Sequence, residues 1–228
     1  MFTTYKDALA VVTGGANGIG KALALGFAKR GANVVVVDIH GDEAKTVADE
    51  ITAMGRKSIA IEADVSVLEE CVKVYDAVMD SFGRCDVLVN DAGVSALSDV
   101  EHIPEKDLRW VFETNVYSHW FMMQKFLPQM RKQGTHCQIL NVCSIAGLIS
   151  MNGAPAYFSS KHAAVALSEC VYKQLKAENA NIDISIFCPG YVQTEMHLTD
   201  RHRPERFAIH DDEALLSYRK IRRHGCIQ

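Results

Sequence analysis

The chain of 228 residues has no excess of positive charge: 24 Lys and Arg stand against 28 Asp and Glu, a formal net charge of −4. That balance argues against a nucleic acid or an anionic membrane as partner. No apolar run approaches the roughly 20 residues that a helix needs to cross a bilayer. The opening "MFTTYKDALAVVTGG" lacks the basic start and long apolar core of a signal peptide, so a cytoplasmic location is expected. The seven cysteines are scattered and form no Cys-x-x-Cys pair. They read as reduced, small core residues, Cys143 and Cys188 among them. The nine histidines are dispersed; His197, His202 and His210 share a polar segment at no metal-ligand spacing, and no metal is expected. With only five prolines and no repeat or low-complexity tract, nothing marks a linker, and residues 1–228 read as one domain.

What is present alternates. "ALAVVT", "NVVVVD", "SIAIE", "DVLVN", "QILNV" and "IDISIFC" are short apolar runs with the character of strands. "NVVVVD" is continuously apolar, as expected where both faces of a sheet are covered. Between the strands lie helical patterns: Ile19, Leu23 and Phe27 at helical spacing, "DEAKTVADEITAMG", and "SVLEECVKVYDAVMDSFG" with a Ser66-x-x-Glu69 capping box. A long helical stretch from about Pro104 to Lys132 follows, then one around Tyr157. Strict alternation with short links predicts an α/β fold: a single doubly wound parallel sheet, Rossmann-like, with helices on both faces. Such sheets bind ligands at the carboxyl ends of their strands, where the strand order reverses.

The residues at those ends are informative. After the first strand comes Thr13-Gly14-Gly15-Ala16-Asn17-Gly18-Ile19-Gly20. Glycines let the backbone approach a phosphate, and the next helix offers free N–H groups and a positive dipole end. Gly14, Asn17, Gly18, Ile19 and Gly20 are therefore candidate cofactor contacts. Asp38, followed by Ile39, ends the second strand, where a carboxylate accepts the ribose hydroxyls of an adenosine and repels a 2′-phosphate. No Arg or Lys lies in the glycine turn or immediately after Asp38. The expected cofactor is thus NAD rather than NADP. Tyr157 and Lys161 stand four residues apart, on one face of their helix.

Thr-Gly-x-x-x-Gly-Ile-Gly, Asn90-Asp91-Ala92-Gly93, Asn115, Ser144, Tyr157-x-x-x-Lys161 and Pro189-Gly190-Tyr191-Val192-Gln193-Thr194 occur in that order. The set resembles the short-chain dehydrogenase/reductase family over about residues 8–196. The resemblance implies that Asp64 and Val65 contact adenine and that Asn90, Ala92 and Gly93 line the cofactor. It further implies that Pro189, Gly190, Val192 and Thr194 cover the nicotinamide side. Tyr157 becomes the general acid/base, assisted by Lys161, whose charge lowers the proton affinity of a nearby phenol. Ser144 would hydrogen-bond the substrate oxygen, and Asn115 would hold a water on a proton path to Lys161. Ala146, Met151 and Tyr191, with Ser144 and Tyr157, are the candidate substrate wall. Their mostly apolar character points to a small to medium secondary alcohol or ketone.

Two departures qualify the resemblance. Asp91 stands where the family usually has Asn, a position expected to brace the central sheet and so to bear on stability. Residues from about 195 to 228 read as a variable substrate loop and a shortened tail, without the family's seventh strand. That ending leaves a second reading open, a weakly active or inactive NAD-binding scaffold. The basic cluster Arg219, Lys220, Arg222 and Arg223 reads as a solvated helix end or tail. The apolar surplus of "VYSHWFMMQKFLPQM", including Trp120 and Phe121, predicts a homodimer through the two long helices that carry Asn115 and Tyr157.

Overall fold

The structure, a computed structural model, describes residues 4–208. Among these residues, six strands and six α-helices alternate except where α4 and α5 follow one another: β1 (Leu9–Thr13), α1 (Gly18–Lys29), β2 (Asn33–Asp38), α2 (Gly41–Ala53), β3 (Ser58–Glu62) and α3 (Leu68–Phe82) form the first half. β4 (Val87–Asn90), α4 (Glu105–Phe112), α5 (Ser118–Lys132), β5 (Cys137–Val142), α6 (Pro155–Ala177) and β6 (Ile182–Phe187) form the second. All strands are parallel, in the order β3-β2-β1-β4-β5-β6. The order reverses between β1 and β4, the switch point where ligands bind in such sheets.

The continuous apolar strands follow from the two-residue period of a strand, which sends neighbouring side chains to opposite faces. Leu9 and Val11 pack with Val35, Val37, Leu88 and Ile139 against Val74 of α3, Phe126 of α5 and Leu175 of α6. Ala10 and Val12, with Val34, Val36, Val87 and Val89, pack against Ala24 of α1 and Val47 and Ile51 of α2. Each fully buried valine or leucine contributes roughly 1.5–3 kcal/mol relative to exposure. β1, β2 and β4 therefore hold the strand ends rigidly in place. β6 is less covered, exposing Ile186 and Phe187.

Four expectations need correction. The stretch 104–132 is not one regular helix: a π turn, Glu113–Tyr117, separates α4 from α5 and carries Asn115. Its wider turn accompanies side-chain bonds that tie Asn115 to the loop after β4. The Ser66–Glu69 capping box does not form, because Ser66 donates through both its N–H and its hydroxyl to Asp64 Oδ1. Phe121 packs against the core rather than lying on the surface. Cys170 is exposed, unlike the buried Cys71, Cys85, Cys137 and Cys143. After β6, residues Glu195–His202 and Glu205–Phe207 form 3-10 turns. The reading of the tail, its basic cluster included, falls largely outside the described residues. Among those residues, no helix is long and apolar enough to cross a membrane.

Candidate active site

The turn from β1 into α1 is shaped by the absence of side chains. Gly14 has φ +64°, and a Cβ on Gly20 would stand 2.1 Å from the Gly14 carbonyl oxygen. Only glycine lets the turn fold back so tightly on the start of α1. Asn17 caps that helix, its side chain accepting the Gly18 N–H at 2.6 Å. Ile19, on the first turn, packs into the sheet face below. At the end of β2 the Asp38 carboxylate accepts the N–H groups of Ala16 and His40, each at 3.1 Å. These bonds orient Asp38 toward the glycine turn, with Ile39 partly buried beside it. Val65 is buried at the end of β3, whereas Asp64 is paired with Arg206.

At the switch point, Thr13 Oγ1 donates to the Val89 carbonyl and accepts the N–H groups of Asp91 and Ala92. The end of β1 is thereby fastened to the loop leaving β4. Asn90 faces into the sheet, where its amide donates to Asn141 Oδ1 at 2.8 Å. Asn141 in turn donates to Ser168 Oγ of α6. The sheet brace thus belongs to Asn90 and not to Asp91. The Asp91 carboxyl lies against α1 instead, its Oδ2 beside Gly20.

Four elements converge beside Gly93. Asn115, wholly buried, accepts the Val94 N–H at 2.8 Å and donates to the Val94 carbonyl at 2.9 Å and to Ser160 Oγ at 3.0 Å. Ser160 in turn donates a hydrogen bond from its hydroxyl to the Tyr157 carbonyl. Asn115 therefore clamps the loop after β4 to the first turn of α6. Lys161 is buried, with Nζ 3.4 Å from the Val142 carbonyl oxygen and 5.9 Å from the Tyr157 ring centroid. A Cβ on Gly93 would meet both Asn115 Oδ1 and Lys161 Nζ at 3.3 Å. Ser144 ends the extended backbone after β5 and caps a 3-10 turn, Ile145–Gly147, accepting the Ala146 N–H at 3.1 Å. That acceptor role leaves the Ser144 hydroxyl proton free to donate elsewhere.

The far wall is looser. Ala146 is buried, but Met151 is 66% exposed and Tyr191 fully so. The loop 189–194 touches the site at its ends: the Pro189 carbonyl accepts the Ile145 N–H, and the Thr194 methyl packs toward Gly18. Between them Gly190 is open and Val192 is 44% exposed. Among the described residues no cluster of three His, Cys, Asp or Glu could hold a metal ion.

Sequence reasoning missed several participants. Ser160 completes the Asn115 clamp, but a serine in a helix carries no signal of its own. His119, one turn beyond Asn115, is wholly buried, and burial and then the Lys161 charge push it down to about 3, so its ring is neutral. The segment after Thr194 folds back over the ends of β2 and β3. His202 meets His40 at 2.8 Å, Arg206 pairs with Asp64, and Arg203 pairs with buried Asp107 while stacking 4.1 Å from the Trp110 ring.

Comparison with known proteins agrees with this geometry. A family model described as short chain dehydrogenase matches residues 8–205. This chain belongs to the short-chain dehydrogenase family. It is 35% identical over 204 residues to a CLA biosynthesis dehydrogenase/reductase of Lactiplantibacillus plantarum, spanning 90% of this chain and 71% of the relative. It is 33% identical over 187 residues to a diacetyl reductase [(S)-acetoin forming] of Staphylococcus epidermidis, spanning 82% and 72%. The solved short chain dehydrogenase/reductase of Burkholderia phymatum in complex with NAD superposes with TM-score 0.90 at 31% identity, covering 98% of this chain and 80% of that one. Membership makes the chain an oxidoreductase of the dehydrogenase/reductase type.

Proposed function

We propose that this short-chain dehydrogenase uses NAD(H) to interconvert a small to medium, largely apolar secondary alcohol and its ketone. The observation that carries the reading is the convergence of Tyr157, Lys161, Asn115 and the Ser144 turn at the switch point, beside a glycine turn closed to side chains. The nucleotide end fits a dinucleotide. The Gly14–Gly20 turn leaves room for backbone approach at the start of α1, and Asp38 faces that turn from the end of β2. Gly14, Asn17, Gly18, Ile19, Gly20, Asp38, Ile39, Asp64, Val65, Asn90, Ala92, Gly93, Tyr157, Lys161, Pro189, Gly190, Val192 and Thr194 would hold it. Asn90 contributes through backbone, since its side chain is committed to Asn141. The NAD bound by the Burkholderia phymatum relative supports the same choice.

When bound, the nicotinamide supplies the hydride acceptor or donor. The work of this chain's own residues is the proton. Tyr157 takes the alcohol proton in oxidation and returns it in reduction. Lys161, buried within 6 Å of the ring, stabilises the negative charge that forms on the phenol oxygen as the proton leaves. The Ser144 hydroxyl donates to the substrate oxygen, where charge builds in reduction. Asn115 fixes the loop after β4 against α6, which keeps Gly93 beside Lys161 and the proton route in register. Ala146, Met151 and Tyr191 form an apolar wall, consistent with the ketone chemistry named for the diacetyl reductase relative.

The chain assembles in this reading as a dimer through α5 and α6, where exposed Trp120 and Tyr172, with Tyr117 at the end of the π turn, need a partner surface. A spectrophotometric screen of NADH formation over a panel of secondary alcohols tests the function. Turnover of at least one member is expected. NADH binding without turnover of any alcohol, or any ketone in reverse, would favour the inactive scaffold.

A further inference from the structure

Asp91 is the one family departure that lies inside the site, and its surroundings differ from those of a sheet brace. The carboxyl lies against Gly20 in the first turn of α1, whose N–H lowers its proton affinity. Its Oδ2 presses so close that a Cβ on Gly20 would stand 2.7 Å away. Its own N–H is taken by Thr13 of β1. The charged groups facing it are Lys161 of α6 and Asp38 at the end of β2. The Gly20 that Asp91 faces belongs to the helix terminus that a pyrophosphate would use.

We propose that Asp91 is a positioning residue that sets the charge beneath the nucleotide: ionised, it competes with the pyrophosphate for the N-terminus of α1 and for the field of Lys161, and protonated, it leaves both to the nucleotide. This inference rests on the nucleotide reading above and adds to it a residue and a pH dependence. Supporting it, burial pushes the Asp91 carboxyl up to about 7, while Lys161 and the Gly20 amide pull the other way and Asp38 adds to the rise. The group therefore changes charge near neutral pH. The sign follows from like-charge repulsion: nucleotide affinity falls as pH rises through that range. An asparagine has the same shape and keeps an acceptor for Gly20 without the charge.

The test is the Kd of NADH, read by fluorescence, from pH 5.5 to 8.5 in the full chain and in Asp91→Asn. At the effective dielectric of a partly buried site, one added charge a few ångströms away should weaken binding roughly tenfold across the range. Asp91→Asn should bind at the tight limit throughout. Any other group that changes charge in this range is common to both proteins and cancels in the comparison. A second readout guards against a variant that merely repacks. A carboxyl raised on folding binds its proton more tightly in the native state, so it costs stability as pH rises from the unfolded value toward 7. The Tm advantage of Asp91→Asn should therefore widen from pH 5 to pH 8. A flat Kd in the unmodified chain, or the same pH profile in both proteins, overturns the proposal. Failure of both to bind NADH at any pH overturns the nucleotide reading itself.

Discussion

The two ends of the groove are built differently. At the nucleotide end, side chains are spent on backbone: Asp38 holds Ala16 and His40, Thr13 holds Asp91 and Ala92, and Asn115 holds both polar groups of Val94. At the proposed substrate end, Met151 and Tyr191 stand largely exposed among the described residues. A buried polar group must be satisfied or it costs stability, so the first end is locked by the same bonds that form it. An exposed side chain carries no such penalty and is free to take its place only when substrate arrives. In the proposed reading, chemistry is preorganised by the fold and specificity is left to the loops.

The sharpest way to break this contrast is Asn115→Ala. It strips partners from the Val94 N–H and carbonyl and from Ser160, all buried, and should cost about 2–4 kcal/mol of stability. Thermal denaturation would register a loss of several degrees; an unchanged Tm would mean that the clamp is incidental. Next, Asp38→Ala removes the ribose acceptor and the repulsion of a 2′-phosphate together. The preference for NAD over NADP, measured as a ratio of kcat/KM, should narrow by roughly tenfold or more. An unaltered ratio, or no preference in the unmodified chain, would remove Asp38 as the selector. The smallest effect belongs to the open wall. Tyr191→Ala should leave Tm within about a degree, as surface changes do, while shifting KM a few-fold in a way that depends on substrate size. A stability loss comparable to that of Asn115→Ala would erase the distinction between the ends.

Most of the fold was legible because each strand is a short apolar run between turn residues, and the six runs correspond to β1–β6 to within a residue or so. The proposed catalytic set could be picked out because its spacing is carried by regular elements: Tyr157 and Lys161 by one helix, Ser144 by the end of β5. What escaped reading depends on contacts between distant segments. The π turn at Asn115 is stabilised by Val94, twenty-one residues earlier, and helical periodicity does not encode that pull. Asp91 read as a sheet brace, yet its neighbour Asn90 donates the side-chain hydrogen bond to Asn141. In a strand, adjacent residues face opposite ways, and the motif alone does not say which faces the helix. The ion pairs of Arg203 with Asp107 and Arg206 with Asp64 join residues about 100 and 140 positions apart, beyond any local pattern.

The account turns on Tyr157 handling the proton at a nucleotide site that is complete without its hydroxyl. Tyr157→Phe removes one oxygen and keeps the ring beside Lys161. The decisive measurement pairs turnover of the best alcohol found for the unmodified chain with the Kd of NADH in the variant. General acid–base catalysis is worth roughly 10²–10⁴-fold, so turnover should fall by at least that lower figure while Kd stays within about twofold. A variant that keeps most of its turnover would contradict the assignment of the proton to Tyr157.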